Sequence, residues 1–243
     1  MYPKRPKEII QAEALIGGLS SPSKMPCYSF NIPAVHCLTG AKLRAVLNSV
    51  CAECYALKGR YLFGNVKRAM ETRYQILQGA LQGTGPVSLQ DWTQAFVQVL
   101  RWNHEHKGQD YFRWHDSGDI QSVEHLQAIA GIAFHVPRVS FWLPTREKGI
   151  ITRYLSLGLK WDSNLTVRLS APIVGINSAS APAPCRESLV YKKDQWAELL
   201  EQGQALPYAP EKPLACPSSL QGNECLECRA CWHHKGAIAY LKH

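Results

Sequence analysis

Three cysteines near the C-terminal end of the chain follow one another at intervals of three residues. They are Cys225, Cys228 and Cys231, and Cys216 lies nine residues upstream of the first. A loop with this Cys-x2-Cys-x2-Cys pattern can bind three irons of a cubane cluster, while a fourth thiolate comes from a more distant position. The pattern therefore predicts a [4Fe–4S] cluster held by these four residues. Zinc is the alternative, although zinc sites more often use two separate Cys-x2-Cys pairs.

A second group of cysteines lies in the N-terminal quarter of the chain. Cys51 and Cys54 form another Cys-x2-Cys pair, and Cys37 is the nearest further thiol. Cys27 competes for the fourth position with Cys185, which follows two prolines much later in the chain. We therefore expect a second metal site. A cluster bound by only three cysteines would leave one iron open to substrate and would be catalytic rather than structural.

Two other assignments of these ligands stay open. His36, next to Cys37, is an alternative to a fourth thiolate, although a single histidine more often has a structural role. In the other assignment, Cys51 and Cys54 join two C-terminal cysteines in one zinc site, which leaves several cysteines without a role.

The chain has nine cysteines, more than a soluble core of 243 residues requires, and an odd number cannot all pair within one chain. The first ten residues are charged and lack the apolar segment of a secretory signal, so we expect a reducing, cytoplasmic compartment where metal binding is favoured. No stretch approaches the ~18 uncharged apolar residues of a membrane span, so we expect no membrane contact. The formal net charge of +8 suits phosphate-bearing partners.

Ionisable side chains accompany the ends of three predicted strands. Asp116 and Asp119 follow an aromatic run, Arg146 follows a second apolar run, and Arg168 lies in a third. Ligands of parallel α/β folds bind at the carboxyl ends of the strands. Helix capping would explain an aspartate but not two arginines, so we expect these four residues to line a catalytic pocket. Guanidinium groups bind phosphate or carboxylate at two points, which indicates an anionic substrate.

His115 precedes Asp116, and the two would form a general acid–base pair if a turn brought their side chains together. Adjacent residues of an extended chain point to opposite sides, so the pair requires such a turn. The sequence has no glycine-rich phosphate loop of the Walker or dinucleotide type.

The elements that would position these residues alternate between short strands and helices. Strands are predicted at 111–114, 139–143 and 165–169, and helices at 66–81, after 88, after 122 and at 147–157. Successive strand starts are 28 and 26 residues apart, the length of a strand–helix unit, which implies parallel strands joined by crossover helices. We therefore predict an α/β fold with a (β/α) barrel-like or partial-barrel core and cysteine-rich metal-binding loops at both ends of the chain.

The chain length suits one domain over residues 1–243. We divide it into a cysteine-rich N-terminal segment 27–61, a (β/α) core 62–205 and a C-terminal cluster-binding segment 206–243.

The densest basic stretch carries aromatic residues between its charges. It comprises Lys58, Arg60, Lys67, Arg68 and Arg73, with Tyr55, Tyr61, Phe63 and Tyr74 interleaved. Basic and aromatic side chains together are typical of a nucleic-acid surface. A solvated helix face beside core aromatics is the more ordinary explanation.

Several segments resemble the bacteriophage gene-product-eighty-eight family of cysteine-rich proteins, over about residues 27–232. They are Cys51-Ala-Glu-Cys54-Tyr-Ala, Arg113-Trp-His-Asp-Ser-Gly-Asp119, Phe141-Trp-Leu-Pro-Thr145-Arg146 and the C-terminal cysteine motif ending in Cys231-Trp232. The resemblance implies a phage origin, a host-cytoplasmic location and a cluster-bearing barrel, without a reaction. More loosely, the chain is similar to the partial barrels of radical S-adenosylmethionine enzymes, but it lacks their Cys-x3-Cys-x2-Cys signature.

These observations lead to two functional expectations. The first is an iron–sulfur phage enzyme with one [4Fe–4S] cluster, and room for a second, that acts on an anionic substrate such as a nucleotide or nucleic acid. The alternative is a non-enzymatic module whose iron–sulfur or zinc sites staple loops that bind nucleic acid or a host protein.

Overall fold

One parallel β-sheet organises the computed structural model of this chain, which describes residues 3–201 and 213–242. Its strands are β1 (Tyr28–Phe30), β2 (Tyr111–Trp114), β3 (Ser140–Thr145), β4 (Leu165–Ser170), β5 (Arg186–Tyr191), β6 (Leu214–Ala215) and β7 (Ile238–Leu241). The pairing order is β1-β2-β3-β4-β5-β7-β6, and every pair is parallel. The carboxyl ends of β1 to β5 therefore lie along one edge of the sheet, in sequence order.

The α-helices of the described residues alternate with these strands in the central part of the chain. They are α1 (Lys7–Leu15), α2 (Leu38–Leu43), α3 (Gly64–Gln82), α4 (Leu89–Lys107), α5 (Val123–His135), α6 (Lys148–Ser156), α7 (Lys193–Glu201) and α8 (Ala230–His233). Side-chain caps begin two of the longer helices. Ser88 Oγ accepts from the Asp91 amide at 3.0 Å at the start of α4, and Ser122 Oγ accepts from the His125 amide at 3.1 Å at the start of α5.

The two faces of the sheet carry different cores because successive strand residues point to opposite sides. Phe112, Phe141 and Val167 belong to the main core, which they form with the apolar faces of the longer helices. Trp142 points to the opposite face, where it packs with Trp232 of α8. Helices therefore cover one face, and the C-terminal cysteine segment covers part of the other.

The structure confirms a mixed α/β fold with parallel strands, and the three predicted strands and four predicted helices appear as β2–β4 and α3–α6. The predicted barrel is not confirmed, because the pairing order begins with β1 and ends with β6 rather than closing on itself. Sequence analysis missed β1, β5, β6 and β7, which are short or lie in cysteine- and proline-rich stretches. The predicted segment boundary at 205/206 lies outside the described residues.

Within residues 3–201 and 213–242, no helix has the length and apolar character needed to cross a bilayer.

Gly118 shapes the turn that follows β2, and we predict that it tolerates no side chain. Its φ is +80°, and an added Cβ would lie 2.2 Å from Ile32 Cγ1 and 2.8 Å from the Ile32 carbonyl oxygen. Gly118→Ala should therefore lower the free energy of unfolding by roughly 2–4 kcal/mol, from left-handed backbone strain and overpacking. Chemical denaturation of the purified variant measures this loss.

Gly131→Ala is the matched control, since Gly131 lies in α5 and an added Cβ there meets no atom within 4 Å. It should raise stability by about 0.5–1 kcal/mol. Equal stability of the two variants would contradict the geometry of the turn.

Candidate metal and substrate site

Five thiols gather on the sheet face opposite the main core. Cys27 and Cys231 are buried there beside Trp142 and Trp232, and Cys216 packs against the same cluster. The pKa of Cys27 is raised to about 12, mainly by burial, with a further contribution from Cys225. We call these residues the sheet-face thiol set: Cys27, Cys216, Cys225, Cys228 and Cys231.

The members of this set are close enough to influence one another. Burial, followed by Cys216 and Cys228 among other charges, raises the pKa of Cys225. Burial also raises the pKa of Cys231 to about 12, with contributions from Cys216 and Cys225. The Cys228 amide donates to the Cys225 carbonyl at 2.9 Å, which closes the turn between them. Because metal binding releases thiol protons, such a site would load less readily as pH falls.

Arg168 holds the C-terminal segment against the sheet. Its side chain extends from β4, is fully buried, and donates to five backbone carbonyls. One acceptor is the Glu187 carbonyl of β5. The other four are carbonyls of the segment around α8: Ala230, Cys231, His234 and Gly236. Within the described residues Arg168 has no carboxylate partner, so its charge is balanced by carbonyl dipoles alone.

Arg113 and Arg229 lie close enough to the sheet-face thiol set to oppose the rise in the pKa of Cys27 and Cys225, and Arg186 lies beside the segment around α8. Arg113 stacks on Trp142 at 4.5 Å, and Arg229 lies over the Tyr111 ring at 5.2 Å. Arg186 donates to the His234 carbonyl at 2.9 Å. The surroundings of these thiols are therefore positive, which favours bound negative charge.

A separate group of three thiols lies at the strand-end edge of the sheet, and we call Cys37, Cys51 and Cys54 the strand-end thiol set. Burial raises the pKa of Cys37, and Asp119, Cys54 and Cys51 raise it further. A Cβ on Gly40 of α2 would lie 3.5 Å from Cys51 Sγ and 3.7 Å from Cys37 Sγ. The same Cβ would lie only 3.0 Å from Cys37 Cβ, so the absence of a side chain at Gly40 lets α2 pack closely against both cysteines.

Arg146 connects this thiol set to the ends of the strands. Its amide, just after β3, donates to Asp119 Oδ2 at 2.8 Å, and its guanidinium donates to the Ala171 carbonyl after β4. The pKa of Cys51 is raised by burial, while the charge of Arg146 and a hydrogen bond from it oppose the rise. One arginine thus spans three strand ends and a thiol.

Asp119 is a buried carboxyl group within the same arrangement. Burial and then the neighbouring Glu147 raise its pKa to about 7, while hydrogen bonds from Thr145, Arg146 and Ile120 oppose the rise. A carboxyl group of this kind exchanges a proton near neutral pH, as general acids and bases do.

Glu147 docks α2, which begins directly after Cys37, onto the strand ends. Its two carboxylate oxygens accept from the Thr39 amide at 2.8 Å and the Thr39 hydroxyl at 2.6 Å. Thr39 is in the first turn of α2, so the carboxylate also satisfies the exposed amide end of that helix. This contact fixes the position of Cys37 and Gly40.

Asp116 is the centre of a hydrogen-bond network at the ends of β1 and β2. Its carboxylate accepts from Ser29 Oγ at 2.6 Å, Asn31 Nδ2 at 3.0 Å and Tyr61 Oη at 3.0 Å. Tyr55 Oη donates to the Asp116 carbonyl. The network ties the segment after Cys54 to the sheet.

His115 does not pair with Asp116. Its φ is +54°, and its buried ring packs 5.4 Å from His125 and 6.1 Å from Phe30. Burial lowers the pKa of His115 well below the ordinary value, so the ring is neutral. Among described atoms, neither ring nitrogen has a hydrogen-bond partner.

The structure thus divides the four predicted pocket residues among three environments. Asp119 and Arg146 lie together beside the strand-end thiol set. Asp116 is engaged by its own network, and Arg168 belongs to the sheet-face thiol set. Cys27, expected to complete the N-terminal site, lies next to Cys225 instead.

Sequence analysis missed Glu147 and Gly40 as residues that shape the site. Glu147 follows Arg146 directly after a predicted strand, and this position in the sequence could have identified it as a site residue. Nothing near Gly40 in the sequence indicates that two thiols would face it. Within the described parts of the chain, no group of three or more His, Cys, Asp or Glu side chains is arranged to hold a single metal ion.

The family model described as Gene product 88 matches residues 5–234 of this chain. Neither a curated protein nor a solved structure gives a significant match.

We predict that Arg168→Met releases the C-terminal segment from the sheet, because five carbonyls lose a buried donor. The loss should destabilise the fold by about 3–5 kcal/mol, as expected when one partner of a buried polar network is removed. Limited proteolysis, with cleavage sites read by mass spectrometry, should show early cutting between residues 213 and 242.

Arg138→Met, at an exposed position after α5, is the control and should keep the parental digestion pattern. If Arg168→Met resists digestion as well as the control, the anchoring role is wrong.

Proposed function

We propose, from the premise that this chain belongs to the Gene product 88 family, that it is an iron–sulfur enzyme acting on an anionic substrate. The substrate class is a nucleotide or nucleic acid, and the compartment is the cytoplasm of an infected host, as the resemblance to bacteriophage proteins implies. We further propose that the sheet is a partial barrel whose strand ends and thiol-bearing face carry the chemistry.

The observation that carries this proposal is the contact between Arg146 and the strand-end thiol set. Parallel α/β proteins bind ligands at the carboxyl ends of their strands. Here Arg146 and Asp119 lie at those ends, and Arg146 also hydrogen-bonds Cys51. A metal at the thiols and a substrate at the strand ends would therefore be neighbours, which a purely structural metal site does not require.

The spacing of the thiols supports a cluster rather than zinc. A zinc ion needs all its sulfurs about 2.3 Å from one point. An iron–sulfur cubane binds each thiolate at a different iron and so accepts a wider set. The C-terminal run of Cys225, Cys228 and Cys231, each three residues after the last, has the sequence spacing of such a cluster-binding loop.

Buried positive charge supports a metal–thiolate group on the sheet face. Arg168 is fully buried, and although it donates to five carbonyls, no carboxylate among the described residues supplies an opposite charge. A buried charge without an opposite charge nearby is energetically costly. A cluster held by Cys216, Cys225, Cys228 and Cys231 would bring negative charge within reach of Arg168. In this proposal Cys27 is a fifth thiol beside the cluster, in addition to the four cysteines that hold it.

The chain's own residues have separate roles in this proposal. When bound, a cluster supplies electron transfer or a Lewis-acidic iron. Arg146 binds and orients the anionic group of the substrate, and Asp119 exchanges a proton beside it. Asp116 and Arg168 are positioning residues that hold the two cysteine segments on the sheet.

An exposed basic surface favours a second candidate, a metal-stapled nucleic-acid-binding module. Phe63 is 58% exposed, and Lys58, Arg60, Lys67 and Arg68 are exposed near it in sequence. Arg73, by contrast, is buried and donates to the Gly18 carbonyl, so it does not belong to this surface.

Anaerobic purification with iron and acid-labile sulfide analysis tests the first candidate. We predict a brown protein with two [4Fe–4S] clusters, and Cys54→Ser should lose roughly half of the iron because it removes a ligand of one cluster. Cys228→Ser should lose the other half and lower stability, since metal binding is coupled to folding.

Cys185→Ser is the matched control, because Cys185 packs against the main core and no other thiol is among the causes that shift its pKa. It should keep full iron. A colourless protein with stoichiometric zinc would overturn the iron–sulfur proposal.

Single-stranded DNA binding tests the second candidate. Phe63→Ala should weaken binding roughly fivefold to a hundredfold, the range expected for losing one stacked base. Phe134→Ala, at another exposed aromatic on α5, should leave the affinity unchanged. Absence of binding at low salt, or equal losses in both variants, would argue against this surface.

A further inference from the structure

Two buried histidines pack against each other behind the strand-end edge of the sheet. His115 directly follows β2 and is 3% exposed, and His125 lies in the first turn of α5 and is fully buried. Their ring centroids are 5.4 Å apart, and the ring planes are perpendicular. Phe30 and Trp114 pack against His115, and Trp92 packs against His125. The surroundings of both imidazoles are therefore aromatic.

A hydrogen bond fixes where His125 carries its proton. The Gln121 amide donates to His125 Nδ1 at 3.2 Å. Because Nδ1 is the acceptor, the proton of the neutral ring lies on Nε2, which has no hydrogen-bond partner among the described atoms. A second proton can bind only at Nδ1, where it would remove the acceptor that Gln121 uses. Protonation of His125 and this hydrogen bond therefore exclude each other.

The turn between the two histidines carries Asp116 and Asp119. At its start, the His115 amide donates to a carbonyl of β1 at 2.8 Å. At its end, Gln121 bonds to His125 through its amide and to the Asp119 carbonyl through its side chain, the latter at 2.8 Å. Loss of the bond to His125 would therefore release the end of the turn that holds Asp119.

Among the described residues, no carboxylate raises the pKa of either imidazole. Burial, then His125 and Arg113, lower the pKa of His115, and burial alone lowers the pKa of His125 to about 3. Strand β1 has no charged residue. The charged side chains nearest to the two rings along the other surrounding elements are Asp91 on α4, Glu124 on α5, Arg113 on β2, and Asp116 and Asp119 in the turn.

None of these carboxylates is placed to receive a proton's charge from the rings. Asp91 and Glu124 are exposed to solvent. Asp116 accepts from its own network, and Asp119 accepts from the Ile120 and Arg146 amides. A proton on the histidine pair would thus be a buried charge without an opposite charge, which is costly.

This arrangement makes the folded state sensitive to acid. An unfolded histidine binds a proton with a pKa near 6.5, whereas the buried pair binds one only at much lower pH. The unfolded state therefore holds more protons below about pH 6.5, and stability falls with pH by up to about tenfold in the unfolding equilibrium per pH unit for each histidine. Asp119 acts in the opposite direction, because its raised pKa favours the protonated carboxyl in the folded protein.

We propose that His115 and His125 form an acid-sensitive lock on the strand-end turn. At neutral pH the uncharged pair holds the turn through Gln121, and in acid a proton on His125 Nδ1 breaks that bond and opens the turn. Opening separates Asp116 and Asp119 from the strand ends while the rest of the sheet stays folded. The lock does not depend on a bound metal, so its failure and that of the iron–sulfur function are distinguishable.

Chemical denaturation of the full chain at pH 7.5 and pH 5.5 tests the histidine pair. Each buried histidine should contribute a rise of about tenfold in the unfolding equilibrium constant between these pH values. His125→Asn keeps a neutral acceptor at the position of Nδ1 and takes up no proton, so its rise should be about tenfold smaller than that of the parent chain. His115→Asn should give the same reduction, since asparagine tolerates the positive φ at this position.

His135→Asn is the matched control, because His135 is exposed at the C-terminal end of α5. It should show the same rise as the parent chain. Comparing variants in this way also cancels the opposing contribution of Asp119, which all of them share.

Hydrogen exchange locates the opening. After correction for the intrinsic exchange rate, the amides of residues 115–121 in the parent chain should exchange about tenfold faster at pH 5.5 than at pH 7.5, while those of β3 and β4 keep their protection. In His125→Asn, residues 115–121 should stay protected at both pH values.

Two results would overturn the lock. One is an equal rise in the unfolding constant in the parent chain, His125→Asn and His115→Asn. The other is unchanged protection of residues 115–121 in the parent chain at pH 5.5, a measurement that needs no variant and holds even if a substitution prevents folding.

Discussion

The buried guanidinium of Arg168 holds the C-terminal cysteine segment on the face of the sheet that the main core leaves uncovered. Parallel strands joined in sequence order place the longer helices on one face, so the opposite face needs another cover. Arg168 holds the C-terminal segment there by donating to carbonyls around α8. The indole nitrogen of Trp232 in α8 donates in turn to the Phe112 carbonyl of β2 at 2.9 Å. The position of Cys231 in the sheet-face thiol set depends on these bonds, because Cys231 is part of α8.

The strand-end thiol set depends on a different constraint, the docking of α2 by Glu147. A six-residue helix is too short to be stable alone, so its place comes from tertiary contacts. The carboxylate that holds Thr39 also lies beside Asp119 and contributes to raising its pKa. Positioning of the thiols and tuning of the nearby acid are therefore properties of the same small group of residues. A substitution at Glu147 would change both together.

Sequence patterns were sufficient for the regular part of the fold. Apolar periodicity and helix-end signals located α3 to α6, and short apolar or aromatic runs located β2 to β4, of which β3 and β4 are buried on both faces. The spacing of the strands implied the parallel sheet. Patterns failed for β1 and β6, three and two residues long, since so few residues carry no detectable alternation. Sequence patterns also could not predict whether the sheet closes into a barrel. The same strand–helix units build a closed barrel or an open sheet, and only the pairing of the strands distinguishes the two folds.

By itself, the sequence determined which side chains are available for chemistry: nine thiols, five of them in Cys-x2-Cys spacings, and arginines and aspartates in or after predicted strands. It also determined the family, through motifs spread along most of the chain. Only the tertiary structure decided how these residues are grouped. Cys27 is close to Cys37 in sequence but lies with Cys225, and Arg168 follows a strand pattern like Arg146 but faces the other thiols. The physical reason is that grouping depends on which side of the sheet a residue faces and which segment covers that side, and both depend on contacts between residues far apart in the chain.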